Sequence, residues 1–230
     1  MYKLVRWATA AWIAIAGSVS ADNYVVVELF TSQGCSSCPP ADSILGELAE
    51  RDDVIALAWH VDYWDYLGWK DEFASPEYSE RQRAYARAKG ERTIYTPQMV
   101  VGGLDHAIGS RPMKVATLIQ KHAERGMPVN VQLERNGDTV QIAVTASNAA
   151  RDSLIQLVTF RPKSEVSIRR GENAGRTLVY HNVVQQVVHA ERWDGQGDYT
   201  ASVSVADDMP VAVMVQARGA GPILGATQLR

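Results

Sequence analysis

Apolar positions change rhythm several times along this chain. Val25–Phe30 runs almost unbroken as VVVELF, the pattern of a strand covered on both faces. From Pro40 to Glu50 the spacing of Ile44, Leu45 and Leu48 predicts a helix, and the dense apolar stretch Val54–Trp59, ending at His60, predicts a second buried strand. Ser75-Pro76-Glu77 places a capping residue, a first-turn proline and an early carboxylate ahead of a helix that runs through Ala88 and stops at Lys89-Gly90. Apart from Tyr78, Tyr85 and several alanines this helix is polar, which predicts a surface position. Pro97 heads a short strand, Gly102-Gly103 turns it, and Leu104–Ile108 returns. Ser110-Arg111-Pro112 opens a third helix whose Val115, Leu118 and Ile119 face inward, ending at Gly126. The order β, α, β, α, β, β, α predicts a mixed sheet, with two parallel crossover units and a final hairpin at the antiparallel edge.

Beyond Met127 the rhythm shortens. Val129–Glu134 and Val140–Thr145 flank Asn136-Gly137-Asp138 as a hairpin. Leu154–Arg161, Thr177–His189, Thr200–Val205 and Val211–Arg218 read as further strands with almost no helical pattern between them. The expected organisation is therefore an α/β domain over residues 22–126 and an antiparallel β-rich, sandwich-like domain over 127–230. The first residues stand apart. Lys3 and Arg6 precede an apolar run from Trp7 to Ala16, and Val19 and Ala21 fit a signal-peptidase site. Residues 1–21 read as a signal peptide, or alternatively as a short anchor, and either way the body is exported to the periplasm or beyond. No later segment is apolar enough for a stable membrane span.

Composition adds exclusions. With 230 residues and a formal net charge of −3, the chain has no basic bias that would suggest nucleic acid. It carries no P-loop, GxSxG, HExxH or dinucleotide fingerprint. Its candidate chemistry is Cys35 and Cys38, the only two cysteines. A C-x-x-C spacing between a buried strand and a helix is the entry to a redox site. In an oxidising compartment the same pair also reads as a structural bridge, although so small a loop would stabilise only weakly. Ser36 and Ser37 bring no charge between the thiols. Pro39 and Pro40 count against the simplest case for a helix terminus lowering the Cys35 pKa.

These residues carry a family resemblance. CSSC after a buried strand, with Thr96-Pro97 heading a later one, resembles the thioredoxin superfamily, and TPQMVVGG followed by AIGS is similar to the glutaredoxin pattern around its cis-proline. ELFTSQGCSSCPPAD, HVDYWDYLGWKDEFASP and RQRAYA together resemble a family of secreted bacterial proteins of uncharacterised function with a thioredoxin-like domain and a β-rich region. The resemblance implies a thioredoxin-like βαβαββα domain with Cys35 as nucleophile and Cys38 as resolving thiol. It also implies a cis Pro97, with the Thr96 backbone offered to a bound peptide; the alternative is an ordinary trans strand start. Glu28 reads either as a buried proton acceptor for Cys38 or as a residue on an exposed strand edge. His60 and Asp62 follow the second strand, where an imidazole could hold a thiolate or join a metal site. The nearby tryptophans, Trp64 among them, read as packing or as a peptide-binding wall. His106, His122, His181 and His189 show no ligand spacing and are expected at the surface.

The implied function is thiol–disulfide exchange with a protein or small-thiol disulfide and an unidentified redox partner, needing no cofactor. Two other readings use the same residues. One is a copper carrier with His60 or Met99 as third ligand. The other is a binding protein with buried sulfurs and a permanent bridge.

Overall fold

In a computed structural model of the protein, residues 24–146, 152–206 and 208–230 are described; the expected signal peptide lies outside them. Val25–Thr31 (β1), Pro39–Ala49 (α1), Val54–His60 (β2), Pro76–Ala88 (α2), Gln98–Val101 (β3), Asp105–Ile108 (β4) and Pro112–Arg125 (α3) follow in the expected order. β1 pairs in parallel with β2 and antiparallel with β3, and β4 closes the antiparallel edge. Alternation along β1 sends Val25, Val27 and Leu29 to one face, where Ala41 and Leu45 of α1 and Val115, Leu118 and Ile119 of α3 cover them. Val26 and Phe30 face the other way, toward Tyr78 and Tyr85 of α2.

α1 starts one residue earlier than its pattern suggested, because Cys38 already has helical dihedrals (φ −79°, ψ −36°). α2 is capped as expected, the Ser75 hydroxyl accepting from the Glu77 N–H at 3.2 Å. One face lies at the surface as expected, with Glu77, Glu80, Arg83 and Arg87 exposed, but the other face is buried. Ser79 and Gln82 are buried with Tyr78 and Tyr85, because their polar groups find partners inside.

The second half comprises Val129–Asn136 (β5), Thr139–Ala146 (β6), Ser153–Ser167 (β7), Thr177–Trp193 (β8), Tyr199–Ser204 (β9), Val211–Ala217 (β10) and Ile223–Leu229 (β11). Two sheets pack face to face here in a sandwich-like way, but one of them is continuous with the sheet of the first half. Four of its strands extend the first sheet, in the order β11-β10-β7-β8-β2-β1-β3-β4, while β5, β6 and β9 form a second, antiparallel sheet. The physical reason is the open edge of β2, whose backbone groups need partners. β8 supplies them. At Asn182 it turns through a left-handed conformation (φ 46°) and donates its side-chain amide to the Ala56 carbonyl at 2.9 Å, after which Val183 pairs with Ala58.

β7 and β8 are 15 and 17 residues long, well beyond the apolar runs that marked them. Register shifts at Leu157/Val158 and Thr159/Phe160 bend the pair so that one hairpin serves both halves. The second core packs Val131, Val140 and Ile142 against Leu157, Val213 and Val215. β11, which the sequence reading missed, passes so close to β5 that a Cβ on Gly225 would meet the Val129 carbonyl at 2.4 Å. Among the described residues no helix is long and apolar enough to cross a membrane.

Candidate functional site

The polar turn after β1 is held by its own backbone: Cys35 N–H donates to the Ser32 carbonyl at 3.1 Å, and Cys38 N–H to the Cys35 carbonyl at 3.3 Å. Cys35 and Cys38 are joined as a disulfide. They are 2% and 0% exposed, while Ser36 and Ser37 between them face solvent. Trp64 lies against the turn, since a Cβ on Gly34 would sit 3.2 Å from its own Cβ, and its indole N–H donates to the Thr96 hydroxyl at 2.7 Å. The Thr96–Pro97 bond is cis. Pro97 lies beside the first turn of α1: a Cβ on Gly109 would meet Ala41 at 2.9 Å and Pro97 at 3.3 Å. Cys35, Cys38, Trp64, Thr96 and Pro97 therefore converge.

A distant segment completes the turn. The loop between β7 and β8 brings Asn173, whose amide donates to the Gln33 and Cys35 carbonyls at 3.0 Å each. Beside it, the Ser36 hydroxyl donates to Glu172 at 2.7 Å, and Arg176 fixes the Asn173 carbonyl at 3.0 Å. Sequence reasoning missed all three, because nothing local to the segment between the strands Leu154–Arg161 and Thr177–His189 points to the cysteine turn.

Beneath the turn, on the α1 face of the sheet, lies a buried charged cluster. His60 Nδ1 sits 2.7 Å from Asp71, both side chains wholly buried. The Gln33 and Phe73 N–H groups also donate to Asp71, at 2.8 and 2.9 Å. Burial pushes the Asp71 carboxyl up, but His60 and these donors outweigh it and hold it below the usual range. Burial likewise opposes charge on His60, yet Asp71 and then Asp42 raise its imidazole above the usual value. Asp42 of α1 accepts from the Thr31 hydroxyl at 2.8 Å, and burial pushes it up to about 7 against the opposing pull of His60 and Thr31. Asp42 Oδ2, His60 Nε2 and the Tyr180 hydroxyl are buried without hydrogen-bond partners. The Tyr180 ring stands 4.8 Å from that of His60. Asp42 and Asp71 went unnoticed in the sequence, although an acid four residues beyond Cys38 on a helix's inner face was a usable signal.

Other expected site residues lie elsewhere. Glu28 is buried on the opposite face of β1, where Arg81 Nε donates to it at 2.6 Å and the Tyr85 hydroxyl bonds its other oxygen. Asp62 bonds the Ser79 hydroxyl of α2. Met99 packs in the core with Leu29 and Val101. Among the described residues no group of three or more His, Cys, Asp or Glu side chains is arranged to hold a metal. His106 and His122 are less exposed than expected, their side chains 6% and 8% exposed beneath the more exposed Glu91 and Asp105 that they pair with.

Residues 26–216 match the family described as protein of unknown function (DUF1223). The chain belongs to that family. This DUF1223 protein is similar to the crystal structure of protein AGR_C_4864 from Agrobacterium tumefaciens, at 35% identity over 89% of this chain and 93% of that one, with a TM-score of 0.75. It also resembles HBP35 of Porphyromonas gingivalis in fold, at 17% identity, covering 91% of this chain and 76% of that one, with a TM-score of 0.68. No curated protein matches it significantly in sequence.

Proposed function

We propose that this DUF1223 protein is an exported thiol–disulfide oxidoreductase built on a thioredoxin-like domain. The carrying observation is the Cys35–Cys38 disulfide at the junction of β1 and α1, with Pro97 beside that junction. Supporting the thioredoxin-like reading are the parallel β1–β2 pair, the antiparallel β3–β4 edge and helices on both faces. In the reduced protein the Cys35 thiolate attacks one sulfur of a substrate disulfide, forming a mixed disulfide and releasing the other half as a thiolate. Cys38 then attacks Cys35, closing the internal disulfide and expelling the second half. The dithiol loses two electrons and the substrate gains them; the reverse sequence oxidises a dithiol. A polypeptide or small-molecule disulfide would approach over Ser36 and Ser37, and a second redox partner would reset the pair. Residues 1–21 would direct export to the periplasm or beyond.

A specific observation favours a second reading. Exposures of 2% and 0% at the two cysteines suit a structural bridge on a binding protein as well as a guarded redox pair. The reduction potential separates the two. Measured in glutathione buffers on the mature chain, with Cys35→Ser as the blank, a value on the order of −120 to −270 mV is expected. A value below about −300 mV would overturn exchange and leave the structural bridge.

A further inference from the structure

We propose that Asp42 is the proton acceptor for Cys38 during disulfide exchange, and that the groove between α1 and β8 carries the proton to solvent. The inference rests on the exchange reading above. It starts from a simple requirement. Cys38 must lose its proton to become a nucleophile, yet the residue is wholly buried, so a base close by has to take that proton.

Asp42 stands one helical turn beyond Cys38, its N–H bonding the Cys38 carbonyl at 3.1 Å. Residues four apart share a helix face, and the Cα–Cβ bond tilts toward the helix N-terminus, which leans this carboxylate back toward Cys38. One of its oxygens is taken by Thr31; the other, Oδ2, is buried and has no partner. Such an acceptor is uncommon in a folded protein and marks a site where a proton can be received.

The neighbouring acids are committed. Asp71 holds His60 and two backbone N–H groups, and Glu28 lies on the opposite face of β1 in the grip of Arg81. The groups facing Asp42 are Thr31 from β1, His60 from β2, Asp71 from the loop before α2, and Tyr180 from β8, with Glu72 acting on His60 and Arg176 on Tyr180. Their sum leaves a carboxyl that titrates near neutrality, where it can both take and return a proton. Asp42 also lines a groove of about 450 Å³ together with Pro39, Gly46 and Glu47 of α1 and Leu178 and His181 of β8. That groove gives the carboxyl a route to water that avoids the covered cysteine turn.

The step balances. With substrate held as a mixed disulfide on Cys35, the Cys38 S–H proton passes to Asp42 and the Cys38 sulfur attacks Cys35. The Cys35–Cys38 bond forms, the bond from Cys35 to substrate breaks, and the substrate leaves as a thiolate. Asp42 then releases its proton through the groove. In the opposite direction, protonated Asp42 returns the proton to Cys38 as its thiolate departs.

The test uses the mature chain, reduced, with oxidised glutathione as the probe, following closure of the internal disulfide between about pH 5 and pH 9. Wild type should show an inflection near neutrality, lost in Asp42→Asn together with about a hundredfold in rate. Thr31→Val keeps the carboxylate but removes a hydrogen bond to its charged form, so the inflection should move to higher pH. This variant decides the question if Asp42→Asn does not fold. Asp42→Asn with the rate and profile of wild type, or Thr31→Val with an unmoved inflection, would overturn the role of Asp42 and leave the oxidoreductase reading standing. A wild type that does not exchange with glutathione would remove both.

Discussion

β1 and β2 carry a buried charged cluster on each face, and the two handle burial in opposite ways. On the α2 face, Glu28 receives both Arg81 and Tyr85. Arg81 spends its remaining donors on Gln156 at 3.0 Å and Gln216 at 3.4 Å, and lies over the Trp59 ring at 4.8 Å. This cluster ties α2 and β1 to β7 and β10, and so joins the two halves of the chain. Its compensation is thorough: burial lowers the Arg81 pKa, but Glu28 outweighs it and holds the guanidinium charged. On the α1 face, beneath the cysteine turn, Asp42, His60 and Tyr180 each keep a polar atom without a partner. A cluster whose charges are all paired fixes geometry, even though the Trp59 indole N–H beside it has no partner. An unsaturated one keeps the capacity to change protonation, and it lies at the end of the sheet where thiol chemistry would need it.

The sharpest way to break this contrast is Arg81→Met, which leaves the Glu28 charge buried and alone. A loss of about 3–5 kcal/mol is expected in urea unfolding, with the disulfide's reduction potential unchanged. A potential that moves along with stability would show that the two faces are not independent.

Asp71→Asn should cost less, about 2 kcal/mol, because an amide still bonds His60 and the Gln33 N–H. Its effect should depend on pH. The raised His60 pKa contributes stability fully present below 6.5 and lost as pH rises through the folded value. The lowered Asp71 pKa contributes stability present above 3.8 and lost as pH falls through its folded value. The gap between wild type and variant should therefore be widest between these limits in unfolding measured across pH, and a flat gap would deny the pair its charge.

The smallest effect is expected from Asn173→Ala, which removes the donor to the Gln33 and Cys35 carbonyls, at about 1–2 kcal/mol. Reduction of the disulfide by a phosphine should become several times faster as the β7–β8 loop loosens its hold. An unchanged rate with lowered stability would make Asn173 a structural tie alone.

Much of this was legible locally. The C-x-x-C turn could be read in place, as could the Ser75 cap, whereas the cis bond at Thr96-Pro97 was implied only by the family resemblance. Glu28 shows where such reading stops. Its position in an apolar strand marked it as unusual, but alternation alone could not say which face α1 would cover, and Arg81 sat on a helix whose composition suggested solvent. His106 and His122 were misplaced for the same reason, since a histidine's partners here come from other elements.

The sequence by itself determined the order β1-α1-β2-α2-β3-β4-α3 and the placing of two thiols between a strand and a helix. Apolar period, capping residues and turn chemistry act over a few residues and are written in the order of the chain. Only the tertiary structure decided that β8 would close the edge of β2, that Asn173 would reach the Cys35 carbonyl, and that Asp42 would face His60 and Asp71. Those outcomes depend on which backbone edges and buried charges the rest of the fold leaves in need of a partner, and such a need exists only once the elements have packed.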